Sequence, residues 1–172
     1  KKPRRNKPNV VLYVIDTLRA DHLSLYGYSR NTSPFLAQLG AKGVVFLNCR
    51  SQSPWTKFSI PTIMTSLYPH THRVGNQSYT DPLPESVITL QDYLRRDGYL
   101  TANFSANPLG CTLSNLDQGF DYSFTPHAYE ISEHGKKKGQ VHSDDLNRRI
   151  IPWLENHANS SFFIYIITFS TI

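Results

Sequence analysis

Two residues stand out for the chemistry they could do. Asp16 closes the apolar run Asn9 to Ile15 (NVVLYVI), and Thr56 lies in S-P-W-T-K-F-S-I-P (53–61). A carboxylate at the end of a buried strand is a hard oxygen donor, of the kind that Ca²⁺, Mg²⁺ or Mn²⁺ prefers. It could equally cap the Thr17-Leu18-Arg19 turn that follows. Thr56 sits in a loop just ahead of an expected helix, whose free N–H groups and dipole favour an anion. A hydroxyl is a weak nucleophile unless a base or a metal lowers its pKa, and an ion on Asp16 would meet that need. The competing reading of Thr56 is a plain loop or N-cap hydroxyl. Lys57 could bring positive charge to anionic oxygens, or be a solvated loop lysine. His70 and His72, after a Pro turn, could touch metal or substrate, although their spacing fits no standard ligand pair.

The elements that must position these groups are legible as alternating strands and helices. Asn9 to Ile15 reads as a strand buried on both faces, the parallel-sheet pattern, which puts Asp16 at its carboxyl end, where open α/β sheets bind ligands. Ser33-Pro34 opens a helix that Gly43 stops, and Val44 to Leu47 is expected as the next strand. Ser59-Ile60-Pro61 opens a second helix through Thr65 and Leu67, ended by Tyr68-Pro69. Thr89 caps L-Q-D-Y-L-R-R-D-G, and Tyr99 to Ser105 follows as a strand. Residues 106–140 are loop-rich and carry the basic run Lys136-Lys137-Lys138. Ser143 caps a helix with Leu146, Ile150, Trp153 and Leu154 on one face and Pro152 as a candidate kink. Phe162 to Phe169 is a last buried strand. The expected fold class is therefore α/β, a mostly parallel sheet with helices on both faces.

The whole chain has 172 residues, 39% hydrophobic and 18% charged, which suits one folded domain and excludes bulk disorder. The net charge of +5 is matched by the five bases among residues 1–7. We therefore read 1–8 as a basic arm and 9–172 as the folded portion, with no specific nucleic-acid partner. Cys49 and Cys111 form no C-x-x-C pair, which leaves at most one disulfide. No apolar run approaches the ~20 residues of a membrane span. The stretch K-K-P-R-R-N-K is of the kind that flanks an upstream membrane segment, and a solvated arm is the competing reading. Four N-x-S/T sequons, at Asn31, Asn76, Asn103 and Asn159, are short patterns, and Asn103 is expected inside a strand.

Three long segments resemble the sulfatase family, of the alkaline-phosphatase-like superfamily, in order and spacing. They are V-I-D-T-L-R-A-D-H-L-S-L-Y-G-Y (14–28), T-S-P-F-L-A-Q-L-G-A-K-G-V-V-F (32–46) and S-P-W-T-K-F-S-I-P-T-I-M-T-S-L-Y-P-H-T-H (53–72). The weaker elements G-Y-L-T-A-N-F (98–104) and Q-G-F-D-Y-S-F (118–124) extend the resemblance to about Asn9–Phe169. It implies that Asp16 is a metal ligand, that Thr17 stands where many members have a second aspartate, and that Thr56 is the nucleophile. Classical members carry there a Cys or Ser within C/S-x-P-S-R that matures to formylglycine. Threonine cannot follow that route, so no formylglycine is expected. Thr56 is similar instead to the nucleophile of sulfatase-like phosphotransferases, which attack phosphodiesters.

The resemblance also implies what this sequence lacks. The family's arginine in the nucleophile motif is Ile60 here, and the frequent K-W-H element is Ala106-Asn107-Pro108, with Asn107 left as a replacement donor to substrate. Members complete their metal site with a late Asp-Asn or Asp-His pair, whereas this sequence closes on I-I-T-F-S-T-I (166–172). The expectation is thus the N-terminal portion of a metal-dependent hydrolase or transferase of sulfate esters or phosphodiesters. Catalysis falls to Thr56, the metal (Ca²⁺, Mg²⁺ or Mn²⁺) to Asp16, Thr56 and Thr17, and substrate contact to Lys57, Asn107 and His72. The implied partner is a sulfated or phosphorylated small molecule, glycan or lipid. The implied location is exported or membrane-associated, with membrane contact through an upstream segment. The alternative is a non-catalytic relic that keeps the fold and binds an anionic ligand or a partner.

Overall fold

The computed structural model describes residues 7–78, 81–125 and 143–169. Four strands, β1 (Val10–Asp16), β2 (Leu100–Ser105), β3 (Tyr122–Phe124) and β4 (Phe162–Phe169), form one sheet in the order β1-β4-β2-β3. Every pairing is parallel, with Val10 opposite Phe163, Leu100 opposite Phe162 and Ala102 opposite Tyr122. The helices are α1 (Pro34–Gly40), α2 (Thr56–Thr65), α3 (Pro69–His72), α4 (Leu90–Arg96) and α5 (Ser143–Asn156).

β4 is apolar along nearly its whole length because it faces a core on each side. Phe163, Tyr165 and Ile167 join Ile60 and Met64 of α2, with Leu94 of α4 packed against them. Phe162, Ile164 and Ile166 join Leu146, Ile150 and Trp153 of α5 on the other face. Strand periodicity of two divides one run between two cores, and helices cover both faces as the alternation of elements implied.

Local chemistry explains the boundaries. Thr89 and Asp92 form a reciprocal capping box at α4, and Gly98 takes φ 87° after its last turn. Pro34 occupies the first turn of α1, but Ser33 caps nothing; its hydroxyl accepts from the Ser24 amide at 3.2 Å. The helix ends at Gly40, short of the expected Gly43.

Two expectations are corrected. Val44 to Leu47 is not a strand: it lies in irregular chain, with Val44 79% exposed and Phe46 and Leu47 also uncovered. β-propensity makes a strand only where a neighbouring ladder exists, and none is offered among the described residues. The second helix begins at Thr56 and not at Ser59, so Pro61 lies inside it. Both cysteines are free, Cys49 exposed and Cys111 buried. Asn103 is buried within β2, as expected. The Lys136–Lys138 run and most of the basic arm fall outside the described residues, whereas Lys7 bonds the Asp97 carbonyl at 2.8 Å.

Candidate functional site

Three elements deliver three polar side chains to the carboxyl end of the sheet. Asp16 is the last residue of β1, Thr56 the first of α2, and Asn107 follows the end of β2. The Thr56 hydroxyl donates to Asp16 Oδ2 at 2.8 Å. The Asn107 Nδ2 donates to the same oxygen at 2.6 Å and lies 3.4 Å from Thr56 Oγ1. Sequence separations of 40 and 91 residues thus close on one carboxylate oxygen, and the two donors, 51 residues apart, touch each other. No side chain caps α2, so the positive end of its dipole faces this cluster.

The orientation of Asn107 is held from behind, by groups that sequence reading did not single out. Its Oδ1 accepts from the Leu109 amide at 3.0 Å, which turns the NH₂ toward Asp16. The buried Ser105 hydroxyl donates to the Asn107 carbonyl at 2.7 Å and accepts from the Asn107 amide at 3.1 Å. The Tyr165 hydroxyl donates to the Gly110 carbonyl at 3.2 Å and ties the turn to β4. A side chain at Gly110 would have its Cβ 2.9 Å from Ile167 Cδ1 and 3.4 Å from the Thr56 methyl, so a larger residue there must displace the end of Ile167. The available signal was a phenol in an otherwise apolar strand: a buried Tyr O–H needs a partner. Burial raises the Tyr165 pKa well above its ordinary value, with Cys111 and Asp16 adding to the effect. Burial likewise pushes the Cys111 thiol up to about 11, leaving it an inert packing group.

The remaining expected site residues are placed elsewhere. Thr17 adopts φ 61° and its hydroxyl donates to the Asp16 carbonyl at 2.7 Å, not to the carboxylate cluster. A β-branched residue in the left-handed region is strained. Thr17→Gly is therefore expected to stabilise the protein by about 1 kcal/mol, read as a higher urea midpoint.

Lys57 is buried and not a solvated loop lysine. Its ammonium donates to the Leu113 carbonyl at 2.8 Å, and burial lowers its pKa, with Asp81 opposing. His70 is exposed and stacks on Tyr68.

His72 is buried beneath α2 with both ring nitrogens occupied. Nδ1 accepts from the Val74 amide at 3.1 Å, and Nε2 lies 3.3 Å from both the Phe58 carbonyl and Thr62 Oγ1. Such a ring is neutral, with its proton on Nε2, and is a structural clamp. Burial lowers its pKa below the ordinary 6.5, the Phe58 carbonyl opposing and His70 adding. The unfolded chain therefore binds this proton first as the pH falls. Stability should drop as pH decreases below 6.5, and His72→Gln should flatten that slope in urea titrations across pH 5 to 7.

Comparison with known proteins places the chain in a family. The family model described as Sulfatase matches residues 8–171. The N-acetylgalactosamine-6-O-sulfatase of Bacteroides thetaiotaomicron is 27% identical over 135 residues, covering 69% of this chain and 26% of the relative. The phosphatidylethanolamine transferase Mcr-1 of Escherichia coli is 37% identical over 91 residues, covering 52% of this chain and 16% of the relative. The C-terminal periplasmic domain of Escherichia coli EcEptC, solved with Zn, superposes with a TM-score of 0.64 at 18% identity, over 97% of this chain and 44% of that one. The chain thus spans about a quarter or less of these two curated relatives. The fold is alkaline-phosphatase-like, and with a family match over almost its entire length this chain belongs to the sulfatase family.

Proposed function

We propose that this chain carries the nucleophile of a metal-dependent transfer or hydrolysis of sulfate esters or phosphodiesters. The observation that supports it most is the convergence of the Thr56 hydroxyl and the Asn107 amide on one oxygen of Asp16. Thr56 Oγ1 attacks the sulfur or phosphorus of the ester, the bond to the leaving oxygen breaks, and the hydroxyl proton passes to Asp16 Oδ2. Water or an acceptor alcohol then takes the group from the sulfo- or phospho-threonine. Asn107 donates to a non-bridging oxygen, and the amides of the first turn of α2 add positive potential beside it.

The donor atoms suit a hard divalent cation in kind. Asp16 and Thr56 offer oxygens, whereas Asn107 presents its amide N–H to the cluster and spends its carbonyl on Leu109. Two protein oxygens are fewer than Ca²⁺ takes, but Mg²⁺ and Mn²⁺ are held by as little as one carboxylate with water completing the shell. Bound there, such an ion would lower the hydroxyl pKa and offset ester charge. Asp16 and Thr56 are the residues that would hold it.

The names of the relatives support a sulfated or phosphorylated glycan or lipid as substrate, and a periplasmic or membrane-associated setting. Among the described residues no helix is long and apolar enough to cross a membrane. A relic that only binds an anion is the second reading. It is favoured by Asn107, whose carbonyl oxygen is spent on the Leu109 amide, so that of the three converging side chains only Asp16 and Thr56 offer oxygens to an ion.

Thermal melts in EDTA and in Mg²⁺, Mn²⁺ or Ca²⁺ test the proposal, run beside Asp16→Ala and Thr56→Ala. Saturating metal at a hundred times its Kd stabilises by about 2.7 kcal/mol. The expected result is an upward shift that vanishes in both variants. A natural chain whose midpoint no metal moves sinks the reading that Asp16 and Thr56 by themselves hold the ion, and places the function in a longer polypeptide.

A further inference from the structure

We propose that Lys57 is a positioning residue: its buried ammonium fastens the turns that follow Asn107 to the start of α2, and so fixes where Asn107 stands relative to Thr56. The residue is 1% exposed, and Nζ donates to the Leu113 carbonyl at 2.8 Å. A buried ammonium is costly to desolvate, and the second residue of α2 lies at the end of the helix whose dipole disfavours a cation. Methionine would fill the same space without that cost. What the ammonium adds is a charge-assisted bond to a carbonyl, about twice as strong as one between neutral groups.

The bond completes a ring of contacts that begins and ends on adjacent residues. Thr56 and Asn107 both donate to Asp16 Oδ2, at 2.8 and 2.6 Å. Asn107 Oδ1 accepts from the Leu109 amide at 3.0 Å, and the Ser114 hydroxyl donates to the Leu109 carbonyl. Leu113, next to Ser114, accepts from Lys57, next to Thr56. Pro108–Gly110 and Thr112–Ser114 are each a single 3-10 turn, so the span after Asn107 has no long helix to stiffen it and depends on its ties. The Tyr165 hydroxyl ties the first turn to the sheet, and Lys57 ties the second to the helix that carries Thr56. Without that second tie the Asn107 amide drifts relative to the hydroxyl, and a misplacement of about 1 Å is enough to slow a reaction severely. Every link of the ring lies within the described residues, and those residues alone bury Lys57. Any effect on turnover rests on Thr56 being the nucleophile, whereas the tie itself does not.

Hydrogen exchange at the Asn107 side chain tests the tie without any activity. The Nδ2 protons, assigned in spectra of the isotope-labelled chain by their loss in Asn107→Ala, should exchange at least about tenfold faster in Lys57→Met than in the natural chain. Backbone amides of Ile164 to Ile166 in β4 should keep their rates, which a general loosening of the fold would not allow. Ser114→Ala breaks the ring one link away with Lys57 in place; it should speed the same exchange, and it carries the test if Lys57→Met does not fold. Where the chain shows turnover, Lys57→Met should lower kcat about tenfold with KM little changed, and should add nothing in an Asn107→Ala background, because both act through one amide. Unchanged Asn107 exchange in either ring variant overturns the proposal and leaves the ammonium a packing group. So does a loss of turnover in Lys57→Met that adds in full to that of Asn107→Ala. Neither outcome touches the nucleophile reading, which falls only if Thr56→Ala keeps its turnover and in falling leaves the exchange result standing.

Discussion

Thr56→Ala is expected to lower metal-dependent turnover of an aryl sulfate or phosphodiester by about a thousandfold or more, in any preparation of this chain that shows such turnover. The side chain lost is the hydroxyl that donates to Asp16 Oδ2 at 2.8 Å. Thr56→Ser separates chemistry from packing. It keeps the oxygen but drops the methyl that lies under Gly110, so it should retain measurable turnover with a looser nucleophile. Rate constants with saturating substrate are the measurement, and equal turnover by the alanine variant would remove Thr56 from the chemistry.

Phe104→Ala should cost about 3–5 kcal/mol, the largest stability loss expected of a single substitution here. Phe104 is fully buried at the centre of the core beneath α5. Its ring lies 6.1 Å from that of Trp153, edge-on, and 5.3 Å from that of Tyr122. Small domains hold only about 5–15 kcal/mol in total, so the variant should unfold at much lower urea, followed through Trp153 fluorescence. Phe46→Ser makes the contrast: the same residue type on an exposed stretch should change stability by about 0.5 kcal/mol or less.

Strands that sit between two cores were the easiest elements to read. Phe162–Phe169 is apolar but for Tyr165 and Thr168, and burial on both faces leaves little freedom in its composition, whereas Leu100–Ser105 carries Thr101, Asn103 and Ser105 and was marked by the Gly98 stop ahead of it. Val44–Leu47 misled because its residues have strand propensity but no ladder to join. The start of α2 misled for a different reason. Pro61 resembles a first-turn proline, yet the chain already turns at Thr56, where the Phe58 and Ser59 amides both bond the Trp55 carbonyl. Asp16, Thr56 and Asn107 could be named from residue type and family resemblance, but their meeting on one oxygen is a tertiary fact. Lys57 and His72 show the reverse limit. Their types suggested contact with substrate, and burial instead spent their nitrogens on backbone groups.

The pairing of β1 with β4 also bears on how the chain acquires its structure. Val10 finds its ladder partner at Phe163, nearly the full described length away, and β2 reaches its central neighbour only through the same late strand. Contacts of such high sequence separation must meet the entropy of closing a large loop before they gain anything. On leaving a ribosome, β1 would therefore wait, unpaired by β4 and apolar, until β4 had followed it out. Folding should be slow and limited by the arrival of β4, and during synthesis the Val10–Asp16 segment should be the main target of chaperones that shield nascent chains.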